Sequence, residues 1–133
     1  MEDSIFTKII NGEVPCFKIY EDDLTFVFLD NNPLTPGHCL VVPKKQIDSL
    51  WNLDDHLYQH IMKVAKKIAD RQQKILNPKR VGMSLEGFEV PHAHVHVFPL
   101  NKGLASTTID HINNVIPKPS PDEMAEIANK LAF

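Results

Sequence analysis

Apolar residues recur at helical spacing over the middle of the chain. One stripe is formed by Leu57, Ile61, Val64, Ile68 and Ile75. Apolar side chains spaced three and four residues apart lie on one face of an α-helix. Asn52, with Asp55 three residues later, can cap the start, and Pro78 follows the end. The pattern therefore predicts a long amphipathic helix over residues 54–77.

Shorter apolar runs bounded by turn residues predict strands over residues 17–21, 25–29, 38–43 and 81–85. Short helices are predicted over residues 4–11, capped by Asp3 or Ser4 and ended by Gly12, and over residues 120–131, where Ser120 and Glu123 form a capping box. Residues 100–119 show no clear pattern. Because the strands follow one another in hairpin-like runs, the predicted fold class is α+β: an antiparallel sheet of about five strands with one long helix and short terminal helices.

Composition places the chain among single-domain globular proteins. It has 133 residues, of which 43% are hydrophobic and 23% are charged, and its net charge is −3 at pH 7. We therefore expect one domain over residues 1–133, with no nucleic-acid partner and no membrane partner. The start MEDSIF lacks the basic and apolar regions of a signal peptide, which favours a cytoplasmic location. Cys16 and Cys39 show no Cys-x-x-Cys spacing and are expected to be free thiols.

Three histidines occupy alternate positions in PHAHVHVFP, residues 91–99. Side chains of a strand alternate between its faces, so His92, His94 and His96 would share one face. The apolar residues between them would share the other face and can pack against a core, while Pro91 and Pro99 mark the strand ends. Three interpretations stay open: a polar strand face, a metal site, or a nucleophilic and phosphate-binding site.

The sequence resembles the histidine-triad (HIT) family. HAHVHVF, residues 92–98, is similar to the family signature His-x-His-x-His followed by two apolar residues. SIFTKIINGEVP, residues 4–15, resembles the family's opening helix and turn. FLDNNPLTPGHCLVVPKK, residues 28–45, resembles its Asp-containing strand end, its Pro-rich loop and the histidine before a buried strand. The resemblance covers a core of residues 4–100 and leaves residues 101–133 as a C-terminal extension.

This resemblance implies a homodimeric, Hint-like nucleotide hydrolase or nucleotidyl transferase that acts, without a cofactor, on purine nucleoside phosphoramidates, esters or polyphosphates. His94 would attack the α-phosphorus and form a nucleotidyl-histidine intermediate, which water then resolves. His92, His96 and His38 would line the phosphate site, and Asp30 would hold the ribose hydroxyls. The residues implied at the base and elsewhere in the nucleotide site are Ile5, Phe6, Ile9, Phe28, Asn31 and Glu89.

Two departures from the family pattern concern metal binding. Some members carry a Cys-x-x-Cys pair in the opening segment, which binds zinc together with histidines further along. Here that stretch runs from Ser4 to Thr7 without a cysteine, and Gln46 stands where many members have a histidine. We therefore expect that the protein holds no metal.

Further departures lie just before the histidines. The family usually has an Asn ahead of a Glu-Gly pair, and then a Gln and a Ser or Thr, all of which donate to phosphate. Here Leu85 precedes the Glu-Gly pair, and Phe88 and Glu89 occupy the later donor positions. Ser84 is one residue away from the Asn position, so strand alternation predicts that it points to the opposite face. Two alternatives stay open: a HIT-fold nucleotide- or protein-binding module with little turnover, and a histidine metal site.

Overall fold

The computed structural model describes residues 2–133. Its helices are α1 (Ile5–Ile10), α2 (Asp55–Leu76), α3 (Leu104–Ile112) and α4 (Pro121–Leu131), and a 3₁₀ turn at Leu50–Asn52 precedes α2. Its strands are β1 (Lys18–Glu21), β2 (Thr25–Leu29), β3 (Cys39–Pro43), β4 (Arg80–Ser84) and β5 (Val95–Leu100). None of the helices within this range is long and apolar enough to cross a lipid bilayer.

The five strands form one antiparallel sheet in the spatial order β1-β2-β3-β5-β4. The histidine-bearing strand β5 therefore lies between β3 and β4. Its residue His96 pairs with Leu40 on one side and with Ser84 on the other. This arrangement confirms the predicted α+β fold. Near its start, β5 pairs with a neighbouring strand on each side.

Each face of the sheet packs against a different layer. One face packs against the apolar stripe of α2 and against α4, and Val95 and Val97 belong to this layer. The other face packs against α1, where Phe6 and Ile9 meet residues of β2 and β3. Side chains alternate along β5, so His96 lies on the α1 side of the sheet.

Side-chain hydrogen bonds to nearby backbone N–H groups cap the starts of α1, α2 and α4. Ser4 caps α1 by accepting from the backbone N–H of Thr7, and Ser120 and Glu123 form the predicted capping box of α4. The start of α2 differs from the prediction, because Asp54 rather than Asn52 is its N-cap. Asn52 belongs to the preceding 3₁₀ turn, and the carboxylate of Asp54 accepts from the backbone N–H of Leu57 instead.

Strand β5 begins later and ends later than the two prolines suggested. It starts at Val95 and continues through Pro99, which pairs with Val81 of β4. The strand β3 pairs with β5 only as far as Val97. At Pro99 the strand therefore has a neighbour on one side only, where the missing backbone N–H is tolerated.

The helix α3 lies in the segment that showed no pattern. Only Thr107 of its residues is buried, and its N-cap Gly103 makes no side-chain hydrogen bond. A helix without a buried stripe and without a capping side chain leaves little trace in the sequence.

Candidate active site

A cleft of about 310 Å³ opens on the α1 side of the sheet. Its apolar wall is formed by Phe6, Leu40 and Val90. The other lining residues are Asp30, Ser84, Glu86, Gly87, Phe88, Glu89, His94 and His96. The lining of the cleft thus combines apolar side chains with polar ones, which include two of the three alternate histidines.

The tautomer of His94 is fixed by its neighbour in the chain. The Nδ1 atom of His94 lies 2.7 Å from the backbone carbonyl oxygen of His92. A carbonyl oxygen only accepts hydrogen bonds, so Nδ1 carries a proton, and in the neutral form of the ring the lone pair is on Nε2. The ring of Phe6 packs edge-on against the imidazole, with ring centroids 5.1 Å apart. A neutral imidazole held in this way can act as a nucleophile at Nε2.

A hydrogen bond joins His38 and His96 beside the cleft, and its donor and acceptor can be assigned. The backbone N–H of Leu34 donates to Nδ1 of His38 at 2.9 Å, so the proton of the neutral His38 ring lies on Nε2. That Nε2–H donates to Nδ1 of His96, also at 2.9 Å, and the proton of His96 therefore lies on its own Nε2. The chain of donors ends at His96, which lines the cleft, and this N–H is suited to bind an anionic oxygen.

Burial sets the protonation of these groups. It lowers the pKa of His38 to about 3, and the nearby His96 and His111 act in the same direction. It lowers the pKa of His96 to about 4, with a further lowering by His94. Both rings are therefore neutral at pH 7, which is the state that the hydrogen bonds require. Burial also raises the pKa of Asp30, although the backbone N–H of Asn32 opposes this rise.

Within residues 2–133, one group of side chains brings metal-ligand atoms together. The ligand atoms of Asp30, His38 and His96 lie within 4.8 Å of one another. A metal ion at their centre would need a lone pair on Nε2 of His38. The backbone N–H of Leu34 keeps that lone pair on Nδ1 instead. The geometry therefore suits a hydrogen-bonded array better than a metal ion, and the expected absence of metal stays a prediction.

The structure places His92 behind the cleft, whereas the resemblance implied a place in its lining. The side chain is 0% exposed and does not contact the cleft. Its Nε2–H donates to the carbonyl oxygen of Pro43 at 2.7 Å, and its Nδ1 accepts from the hydroxyl of Ser4 at 2.7 Å. Because both ring nitrogens have protein partners, the ring is not free to bind a phosphate oxygen.

Only some of the residues that the resemblance implied around the base and ribose of the nucleotide line the cleft. Phe6 lines the cleft, and Ile9 and Phe28 are buried with it in the apolar layer under α1. The ring centroids of Phe6 and Phe28 are 5.4 Å apart. Ile5 and Asn31 are exposed and lie outside the cleft lining. The structure therefore brings Phe6, together with Leu40, to the apolar wall. Outside the lining of the cleft lie Ile5, Ile9, Phe28 and Asn31.

Ser84 lines the cleft, and the predicted opposite orientation is wrong. It pairs directly with His96, and side chains of paired residues point to the same face of an antiparallel sheet. Leu85 packs instead against the α2 side of the core. Ser84 thus offers the cleft a hydroxyl donor that the comparison of sequence positions missed.

The loop between β4 and β5 gives the cleft an acidic rim. Glu86 and Glu89 line the cleft together with Asp30, and no Lys or Arg is among the lining residues. The charge of Glu89 contributes to the raised pKa of Asp30, behind the larger effect of burial. Phe88, on the same loop, is 88% exposed. A bound phosphate would therefore depend on neutral N–H and O–H donors.

The helix α3 contributes side chains that the sequence did not indicate. Leu104, Thr108 and His111 line a second cavity of about 270 Å³, which also contacts His38 and His96. The two cavities therefore share His96. A local pattern could not reveal this contact, because it depends on how the chain returns across the sheet after β5.

The fold and this site define a class of protein: an α+β domain with a cluster of histidines beside a cleft that apolar side chains and a carboxylate also line. The sequence profile of the HIT domain matches residues 11–103, which is more than half of the chain. The chain belongs to the HIT family.

Its relatives agree with this assignment. An uncharacterized HIT-like protein of Borreliella burgdorferi is 46% identical over 106 residues, covering 74% of this chain and 76% of the relative. The adenosine 5′-monophosphoramidase of Schizosaccharomyces pombe is 30% identical over 119 residues, covering 89% of this chain and 76% of the relative. The crystal structure of a Hit-like protein involved in cell-cycle regulation from Bartonella henselae has a TM-score of 0.81 at 28% identity, covering 98% and 97% of the two chains.

Proposed function

We propose that this protein is a nucleotide hydrolase or nucleotidyl transferase that acts at the α-phosphorus of a purine nucleoside phosphoramidate, ester or polyphosphate. The observation that carries the proposal is the 2.7 Å contact between Nδ1 of His94 and the carbonyl oxygen of His92. It leaves Nε2 of His94 with a lone pair in a cleft that also holds Asp30 and His96. The phosphoramidase relative from Schizosaccharomyces pombe supports the same class of reaction.

The cleft offers each part of a nucleoside monophosphate a matching partner. Phe6, Leu40 and Val90 form an apolar wall against which a purine can pack. The carboxylate of Asp30 can accept from the two ribose hydroxyls. The phosphate then lies toward His94 and His96, where neutral donors are available.

The proposed reaction has two steps. In the first, the lone pair of Nε2 of His94 forms a bond to phosphorus, the bond from phosphorus to the leaving group breaks, and the leaving group takes up a proton. In the second, water attacks the same phosphorus, the P–N bond to His94 breaks, and the proton of the water is released. The N–H of His96 and the hydroxyl of Ser84 would stabilise charge on the phosphate oxygens in both steps.

The test is release of nucleoside monophosphate from a panel of adenosine and guanosine phosphoramidates and dinucleoside polyphosphates. We expect turnover of at least one substrate by the wild-type protein and none by His94→Asn. His56→Gln is the matched control, because His56 is an exposed histidine on α2. Wild-type turnover in His94→Asn would contradict the proposal.

A second candidate is a nucleotide-binding module with little turnover. The acidic rim of the cleft and the exposed Phe88 favour it, because neither supplies a donor to a phosphate. The same panel separates the two functions when it is combined with calorimetric titration of AMP. Binding of AMP with no release of product from any substrate would favour the binding module.

We also propose that the protein forms a homodimer through β4. This strand has a described neighbour on one side only, β5, and its Met83 side chain is 47% exposed. An open strand edge is a surface on which a second copy can add a strand. Analytical ultracentrifugation should give a dimer mass for the wild type and for the control Leu24→Lys. Met83→Lys should shift the mass toward the monomer, and an unchanged dimer would contradict this interface.

A further inference from the structure

His92 lies outside the cleft, and both of its ring nitrogens form hydrogen bonds to the protein. Its ring is held between the carbonyl oxygen of Pro43, at the end of β3, and the hydroxyl of Ser4, at the start of α1. Both contacts are 2.7 Å long. Because the carbonyl must accept, Nε2 carries the proton of the neutral ring, and Nδ1 must receive the proton of the Ser4 hydroxyl. The carbonyl oxygen of Pro43 therefore fixes the tautomer of His92, and the Ser4 hydroxyl holds the ring at Nδ1.

Ser4 is itself fixed by Gln46. The Oε1 atom of Gln46 accepts from the backbone N–H of Ser4 at 2.8 Å and from the hydroxyl of Thr7 at 2.7 Å. The side-chain amide N–H of Gln46 donates to the backbone carbonyl oxygen of Glu2 at 2.9 Å. Ser4 also accepts from the backbone N–H of Thr7 at 3.0 Å as the N-cap of α1. Three segments distant in sequence thus meet in one hydrogen-bonded cluster of Ser4, Thr7, Gln46 and His92.

The cluster reaches His94 by two routes. The backbone carbonyl of His92 accepts the Nδ1–H of His94, so any rotation of the His92 backbone moves this acceptor. The ring of Phe6, two residues after Ser4, packs edge-on against both imidazoles, at 5.8 Å from His92 and 5.1 Å from His94. A shift of α1 would therefore disturb both rings together.

We propose that Ser4 and Gln46 are positioning residues, which act through His92 to hold His94 in its nucleophilic tautomer and orientation. This inference rests on the proposed role of His94. Neither Ser4 nor Gln46 lines the cleft, so their effect on the reaction would be indirect. A displacement of about 1 Å of a reacting group can cost on the order of 100-fold in rate. Small changes at Ser4 should therefore appear in kcat.

The opposing explanation is that Ser4 is only a helix cap. Aspartate and threonine both serve as N-caps, because each has a side-chain oxygen that accepts from the helix. They differ in the group that faces His92, since a threonine hydroxyl can donate to Nδ1 and a carboxylate cannot. Ser4→Thr and Ser4→Asp therefore form a pair that keeps the cap, whereas only Ser4→Asp replaces the donor to Nδ1 of His92 with a charged acceptor.

The experiment measures kcat and KM for AMP release from adenosine phosphoramidate, and the ¹⁵N NMR signals of the histidine rings, in the full chain. Ser4→Thr should keep kcat within about two-fold of the wild type, with His92 in its Nε2–H and His94 in its Nδ1–H tautomer. Ser4→Asp should lower kcat by about 10-fold with KM nearly unchanged. It should also convert His92 to the doubly protonated form, because the carboxylate favours a proton on Nδ1, and it should shift the ring signals of His94.

Unchanged kcat and unchanged His94 signals in Ser4→Asp would overturn the inference and leave Ser4 as a cap. Gln46→Met, which removes the acceptor that fixes Ser4, provides the same comparison if Ser4→Asp does not fold. A wild-type protein that releases no nucleoside monophosphate would instead overturn the proposed function. In that case the NMR comparison decides the positioning role alone, since a shift of the His94 signals supports it and their constancy contradicts it.

Discussion

Nδ1 of His94 lies 2.7 Å from the backbone carbonyl oxygen of His92, and this contact determines which ring nitrogen of His94 can react. The same backbone that places His94 is held from behind by the buried ring of His92. On the cleft side, the backbone N–H of Leu34 donates to His38, and His38 donates to Nδ1 of His96. The Nε2–H of His96 is therefore left for the cleft. The four imidazoles of this region therefore differ in their hydrogen bonds: the buried His92 is bonded at both ring nitrogens, and His38 donates to His96, which keeps one N–H for the cleft. His94 is bonded at Nδ1, which under the proposed function leaves Nε2 for the attack.

The neutral state of the buried histidines should make stability depend on pH. Burial lowers the pKa of His38 to about 3 and that of His96 to about 4, below the value of about 6.5 for an unfolded chain. Between these values the unfolded chain binds more protons than the folded one, so stability falls as pH falls. We expect the free energy of unfolding in urea to decrease from pH 7 to pH 5, by on the order of 1–2 kcal/mol for each ring.

The double variant His38→Asn/His96→Asn isolates this effect. Its stability should fall less steeply over the same pH range, whatever its stability at pH 7. His56→Gln, which changes an exposed histidine, should retain the steepness of the wild type. Equal steepness in the wild type and the double variant would show that other groups cause the pH dependence.

Gln72 should stabilise the backbone on both sides of the His38–His96 pair. Its side-chain amide donates to the carbonyl oxygens of Gly37 and Val97, at 2.9 Å each, and the residue is 0% exposed. Gln72→Leu would leave both carbonyl oxygens buried without this donor. We expect a loss of about 2–4 kcal/mol in the free energy of unfolding, measured in urea.

Gln73 offers a matched control on the same helix, because it is exposed. Gln73→Leu should change the free energy of unfolding by less than about 0.5 kcal/mol. A loss in Gln72→Leu no larger than that in Gln73→Leu would mean that the two carbonyl oxygens find other partners.

Glu89 should weaken the binding of AMP. Glu89 lines the cleft and its charge contributes to the raised pKa of Asp30, so a negative charge faces the cleft in which AMP would bind. Glu89→Gln removes the repulsion while keeping the shape of the side chain. We expect calorimetry to show AMP binding tighter by about two- to five-fold at low salt, with a smaller difference at high salt because surface charges are screened.

Glu126→Gln, an exposed change on α4, should leave AMP binding unaltered. Unchanged AMP affinity in Glu89→Gln would show that the carboxylate turns away from the phosphate.

The same variant also tests a role of Glu89 toward the leaving group. Slower turnover of adenosine phosphoramidate in Glu89→Gln, with turnover of dinucleoside polyphosphates unaffected, would indicate that Glu89 binds a cationic leaving amine.

The sequence predicted the elements whose signals are local. The stripe from Leu57 to Ile75 predicted α2, and Ser120 with Glu123 predicted the start of α4, because caps and apolar faces depend on residues a few positions apart. The alternation in β5 likewise predicted that Val95 and Val97 would be buried. The helix α3 was missed because most of its side chains are exposed.

The candidate site was harder to predict where it depends on long-range pairing. The sequence singles out Ser4 and Gln46 only as departures from the metal-binding pattern that the resemblance implied. It does not indicate that their hydrogen bonds anchor His92, since these contacts join residues 42 and 88 positions apart. The orientation of Ser84 depends on its register with β5, which no local pattern specifies.

The most direct test of the account is to look for the covalent intermediate. The wild-type protein is mixed with adenosine phosphoramidate, quenched within one turnover in alkaline denaturant, and weighed by intact-protein mass spectrometry, followed by peptide mapping. We predict a mass increase of one adenylyl group, located on His94 and also formed by the control His56→Gln, but absent from His94→Ala. An adduct on another residue, or AMP release by His94→Ala at the wild-type rate, would contradict the account.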